Sequence, residues 1–200
     1  MSYTVLAYLL WGFFPAFFPL LLPASPLEIL AHRVIWTAVL MTVLIFSNGA
    51  WRELRDASLR TWGNLAAAGV LITANWGIYV IAVNTNHVAD AALGYFINPL
   101  LSILLALIFL GERLRRRQAG AIAVATVGVA VLIFLSEQMP VMALGMAVTF
   151  GLYGLIKKQV KVSATASVAA ETLVVAPFAL GYLLWLGAQG ESTFLSEGPT

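Results

Sequence analysis

The chain has 200 residues, 61% of them hydrophobic and 10% charged, with a net charge of +2 and a mean hydropathy of +0.92. A soluble domain carries about 25% charged residues, so an ordinary water-soluble fold is excluded and an all-α polytopic membrane protein is the class that fits. The absence of cysteine rules out disulfides and thiolate chemistry, and two histidines argue against a multi-histidine metal site. No metal or other cofactor is expected, and a charge this small gives no reason to expect a nucleic-acid partner.

Seven apolar runs are long enough to be read as membrane spans. The first, 3–22, lacks a basic leader and exceeds the apolar core of a cleaved signal, so it reads as a span. The second, 27–46, begins "LEILAHRVIW" and carries Glu28, His32 and Arg33 in its opening turns. The third, 62–83, places Asn75 and Tyr79 on one face, with Gly69, Thr73 and Gly77 forming a small-residue stripe. The fourth, 89–110, holds Tyr95, Asn98 and Pro99, and Glu112 with Arg113 follows as a structural pair that stops and anchors it. The fifth and sixth cover 118–135 and 140–156. The seventh, 165–187, carries Glu171 about 9 Å inside the membrane by helical rise. Short connections predict that these helices pack as antiparallel neighbours in one bundle.

The cations set an orientation. Arg52, Arg55 and Arg60 follow the second span, Arg113, Arg115, Arg116 and Arg117 follow the fourth, and Lys157, Lys158 and Lys161 follow the sixth. Every second connection is therefore basic, which predicts a cytoplasmic N-terminus in a multi-pass plasma (inner) membrane protein. Arg33 is the one cation outside this pattern.

A weak internal repeat is also visible. Trp11-Gly12-Phe13-Phe14 matches Phe150-Gly151-Leu152-Tyr153, and each is followed by a span that opens near a glutamate, Glu28 or Glu171. The unit would be five spans, 1–137, with 138–200 holding the first two spans of a second unit in the opposite orientation. On that reading the chain is a C-terminally incomplete form of a ten-helix, 5+5 inverted-repeat bundle.

The motifs "AHRVIW", "NWGIYVIAVN", "LGYFINPL" and "FLGERLRRRQ", with "GLYGLIKK" and "ETLVVAP" later, carry a family resemblance. The chain resembles the EamA family of the drug/metabolite transporter superfamily, and within it the RarD-type permeases. Asp90 and Ile81 stand where that pattern has Glu and Trp. The resemblance implies ten helices and export or exchange of small organic solutes. No P-loop is present, so an ion or proton gradient would supply the drive.

Depths estimated from the span boundaries put Arg33, Asn75, Tyr79, Tyr95 and Asn98 in one layer of the outer half, which predicts a polar cavity there. A charge inside a span faces a cavity or a partner. Arg33 therefore reads as an anion-binding or gating cation, against snorkelling to the headgroups, with Glu28 or Asp90 as its nearest acids. His32 could relay protons or simply bond a neighbouring backbone. Glu171 needs a partner or a proton. Glu28 reads as a structural first-turn acid favoured by the helix dipole. Pro99 removes the amide that would bond the Tyr95 carbonyl, so it is expected to kink the helix. The partners implied are the bilayer and a small organic solute, with a homodimer left open. A seven-helix receptor, an intramembrane enzyme and a non-transporting signalling or structural protein are the competing readings. No span carries a lysine for a Schiff base or an arrangement of catalytic residues.

Overall fold

The computed structural model describes residues 2–21, 23–111, 113–135 and 140–193. Helix α1, Ser2–Phe17, passes into a 3-10 turn, Phe18–Leu21. It stops early because Pro19 and Pro23 have no amide hydrogen to continue the helical ladder. Ser25 then caps α2, Pro26–Ser47, accepting the Glu28 amide at 3.2 Å, with Pro26 in the first turn. A five-residue helix α3, Trp51–Arg55, leads to α4, Leu59–Asn84, which is capped by Ser58. Next come α5, Val88–Phe109, and α6, Arg116–Leu135. Helix α7 runs Val141–Lys157, and α8, Ala164–Gln189, is capped by Ser163 and closed by Gly190 at φ +73°.

All seven expected spans are therefore helices, and no strand occurs among the described residues. Five of them, α2, α4, α5, α6 and α8, are long and apolar enough to cross a membrane, and α1 and α7 are shorter apolar helices. Helix α5 runs unbroken through Pro99. The stop after α5 falls at Gly111, which has φ +64°, and Arg113 lies exposed in the connection. Glu112, expected to pair with it, lies outside the described residues.

The packing departs from sequential antiparallel pairing. Helix α4 sits at the centre, with α7 and α8 against it, α2 beside α8 and α5 beside α7. The backbones of α7 and α8 do not form a packed pair, and neither do those of α1 and α2. The six-residue link 158–163 is long enough to let α7 and α8 straddle α4 instead. Helix α6 packs on α5 and has no buried residue.

Small residues set the closest approaches. A Cβ on Gly69 would lie 2.5 Å from the Glu171 carbonyl oxygen, so α4 and α8 meet backbone to backbone there. Gly94 does the same for α5 against Ala143 of α7. Leu65, Ala166, Ala169 and Ala170 pack with Leu54 at the cation-rich end, while Phe18, Ile29, Tyr79, Val80 and Met146 pack at the cation-poor end.

Candidate functional site

Arg33 lies two turns into α2, half-buried, with its guanidinium carbon 3.2 Å from the centroid of the Trp76 ring on α4. That ring belongs to an aromatic group drawn from three segments. Trp76 meets Phe14 at 5.8 Å and Tyr79 at 5.5 Å between centroids. Tyr79 in turn meets Phe18 at 6.0 Å and Tyr95 at 6.2 Å.

The guanidinium has neither a hydrogen bond nor an ion pair to any described residue, and its Nη1 is fully buried without a partner. Neither acid expected beside it is engaged with it. Glu28 is buried and accepts Ser192 Oγ at 3.2 Å, the Thr193 amide at 3.1 Å and Thr193 Oγ1 at 2.6 Å, clasping the start of α2 to the chain after α8. Asp90 occurs in no ion pair among the described residues. A charge at the centre of a span costs about 2.5–3.5 kcal/mol, and stacking on a desolvated tryptophan offsets about 2 kcal/mol of that. The stack alone does not meet the five donors of the guanidinium.

The polar layer expected in this half is assembled, but it is tight. Asn75, Tyr95 and Asn98 line one crevice with Gly94, Met146 and Phe150, and it has no room for a water molecule. The cause is local. Asn75 donates from Nδ2 to the Met146 carbonyl at 2.8 Å and to Thr149 Oγ1 at 3.0 Å, drawing α7 onto α4. Asn98 accepts from Ser102 Oγ at 3.2 Å, one turn along α5. Asn75 therefore ties α4 to α7 and Asn98 bonds within α5, while Tyr79 and Tyr95 belong to the aromatic group around Trp76. His32 is half-buried next to Arg33 in sequence, roughly 100° further round the helix. A larger groove, with about 190 Å³ of space, lies between α5 and α7, lined by Ser102, Ala106, Gly151, Gly154 and Lys158.

Glu171 belongs to a second cluster nearer the cation-rich end. It is 3% exposed and bonded by three side chains. Lys157 Nζ reaches Oε1 at 2.7 Å, Ser167 Oγ reaches the same oxygen at 2.7 Å, and the Tyr153 hydroxyl donates to Oε2 at 3.2 Å. Lys157 also bonds Ser167. So Glu171 has its partner, and Lys157 is an internal cation of α7 as well as part of the basic pattern.

Ser25 caps α2 and Ser163 caps α8, and eight residues beyond each cap stand Arg33 and Glu171. Trp76, Ser167 and Asn84 were not singled out from sequence, and Tyr153 and Lys157 were read only as part of a repeat motif and as an orientation signal. The Asn84 side-chain amide is buried with both atoms unbonded among the described residues. The signal for Trp76 was a tryptophan two turns inside a span rather than in an interfacial belt. No group of three or more His, Asp or Glu residues among the described residues could hold a metal ion.

A polytopic helical bundle with a charged aromatic layer in one half and a buried ion pair in the other is the architecture of a multi-pass membrane protein. Residues 1–134 match the family described as the EamA-like transporter family, and the chain belongs to that family. It is 45% identical over 194 residues to a protein RarD of Streptomyces exfoliatus, covering 96% of this chain and 62% of that protein. Protein RarD of Escherichia coli is 40% identical over 195 residues, covering 96% and 66%. An uncharacterized transporter of Vibrio cholerae is 42% identical over 185 residues, covering 92% and 61%. No solved structure matches the chain.

Proposed function

We propose that the chain serves a secondary transporter of small organic metabolites or drugs, working by alternating access in the plasma membrane with its N-terminus in the cytoplasm. Membership of a transporter family and relatives named as transporters support that class. One relative, from Pseudomonas aeruginosa, bears the name chloramphenicol-sensitive protein RarD. In this reading residues 1–137 form a first five-helix repeat, 138–200 begin an inverted second one, and an ion or proton gradient drives the cycle.

The observation that carries the proposal is Arg33, a half-buried cation stacked on Trp76 with no acceptor among the described residues. In a purely structural bundle such a charge is matched inside, as Glu171 is matched by Lys157. Arg33, Trp76, Tyr79 and Tyr95 would then line the solute path near the cation-poor end, with the Glu171 carbonyl packed on Gly69 closing the other end.

The test is solid-supported-membrane electrophysiology and solute counterflow on the full-length protein in proteoliposomes, against a metabolite panel that includes chloramphenicol. At least one solute should move with wild type and none with Arg33→Ala, provided the variant inserts and elutes as a single species. Flux at the wild-type rate in a folded Arg33→Ala protein, or no flux of any solute, refutes the proposal.

A further inference from the structure

From the transport reading of the Arg33 site, on which it rests, we infer the substrate class: an organic carboxylate. Its oxygens meet the guanidinium edge, and its flat apolar or aromatic body lies against the Tyr95 ring.

The charge inventory gives the sign. Glu171 is neutralised by Lys157, and Glu28 is held by Ser192 and Thr193. Neither the Arg55–Asp56 pair nor the Lys157–Glu171 pair includes Arg33. A cationic solute meets repulsion here with no facing carboxylate to hold it. A neutral solute leaves the charge unmatched.

The repeat register shows what is missing. In the second unit the charge eight residues past the cap is Glu171, and the preceding helix sends Tyr153 and Lys157 to it. The matching motif in the first unit puts Phe14 at the place of Tyr153 and, one turn on, Phe18 at the place of Lys157. Those two rings pack on Trp76 and Tyr79 and offer no counter-charge. Where one half carries its own neutralising partner, the other half presents an apolar wall and an unmatched cation.

Geometry narrows the class further. Trp76 occupies one face of the planar guanidinium, and no described residue takes the donors along its edge, where Nη1 is buried without a partner. Two parallel N–H groups along that edge match the spacing of carboxylate oxygens. Tyr79 packs on the Trp76 ring and Tyr95 packs on Tyr79; Tyr95 is half exposed, so a flat body can reach its ring. A phospholipid headgroup offers anionic oxygens too, and the experiment separates the two sources.

The probes are benzoate, phenylacetate and hexanoate, each paired with its neutral primary amide. Thermal shift is read on the full-length protein in detergent, because a ligand that binds the folded state raises its midpoint. At least one carboxylate should stabilise wild type while its amide does not. Arg33→Gln should weaken that response by about tenfold or more in half-saturating concentration, and Arg33→Lys should restore part of it. Trp76→Leu should weaken it while leaving the preference for acid over amide. If no carboxylate stabilises more than its amide, or if Arg33→Gln responds like wild type, the carboxylate assignment is overturned. Native mass spectrometry covers the lipid source. A phospholipid retained by wild type and lost in Arg33→Gln, with no response to the acids, gives the guanidinium to the membrane and likewise overturns it. Either result leaves solute flux in proteoliposomes, and so the transporter reading, to stand or fall by itself.

Discussion

Removing either partner of the Lys157–Glu171 pair should have unequal consequences. Glu171 is 3% exposed, whereas the Lys157 side chain is 25% exposed and sits in the last turn of α7. Lys157→Met strands a carboxylate that keeps only the Ser167 and Tyr153 hydroxyls. Breaking a fully buried pair costs about 3–5 kcal/mol, and the partial exposure of the lysine lowers the expectation to about 2–3 kcal/mol. Glu171→Gln strands a lysine whose four-carbon stem can carry its head out to the headgroups. That change should cost about 1 kcal/mol, one net hydrogen bond. The double variant removes the buried charge altogether and should be more stable than Lys157→Met alone. Unfolding free energies by steric trapping in bicelles, arranged as a double-mutant cycle, measure all three. Equal single effects that add within about 0.5 kcal/mol would mean that the two residues do not interact, and would refute the reasoning.

Other expectations follow from the packing. Gly69→Ala forces a methyl group against the Glu171 carbonyl and should cost about 1–3 kcal/mol. Gly128→Ala on α6, where nothing lies within 4 Å, should leave the thermal midpoint unchanged or slightly raised. Asn75→Ala removes two bonds between α4 and α7 and should destabilise by about 1 kcal/mol, measured in the same unfolding assay. Glu28→Ala frees Ser192 and Thr193, so hydrogen exchange at the Thr193 amide should accelerate by about tenfold, equivalent to about 1.4 kcal/mol.

Much of the fold was legible because hydrophobic length is a strong signal; the serines that cap α2, α4 and α8 were not read as starts. Helix partners were not legible. Short loops suggested neighbours packing on neighbours, but Gly69 and Gly94 let α8 and α7 approach α4 and α5 more closely than their sequence neighbours do. Depth along the spans put Arg33, Tyr79 and Tyr95 at one level, since helical rise is fixed. It did not tell which way each side chain turns, so Asn75 was expected at a cavity and is instead spent on the Met146 carbonyl. Lys157 was hidden by the very pattern that orients the chain: a cation at the end of a basic connection reads as a topology marker until Glu171 is found beside it.

The contact between Gly69 and the Glu171 carbonyl has a mechanical consequence. Helix α4 is pinned most closely there, near its cation-rich third, while Trp76 and Asn84 lie further along the same rod. At 1.5 Å per residue, Trp76 is about 10 Å and Asn84 about 22 Å from that fulcrum. A tilt of about 5° would therefore move Trp76 by about 1 Å and the far end by about 2 Å. A tilt of α4 about Gly69 would therefore slide the Trp76 ring beneath the Arg33 guanidinium while leaving the contact with the Glu171 carbonyl nearly still.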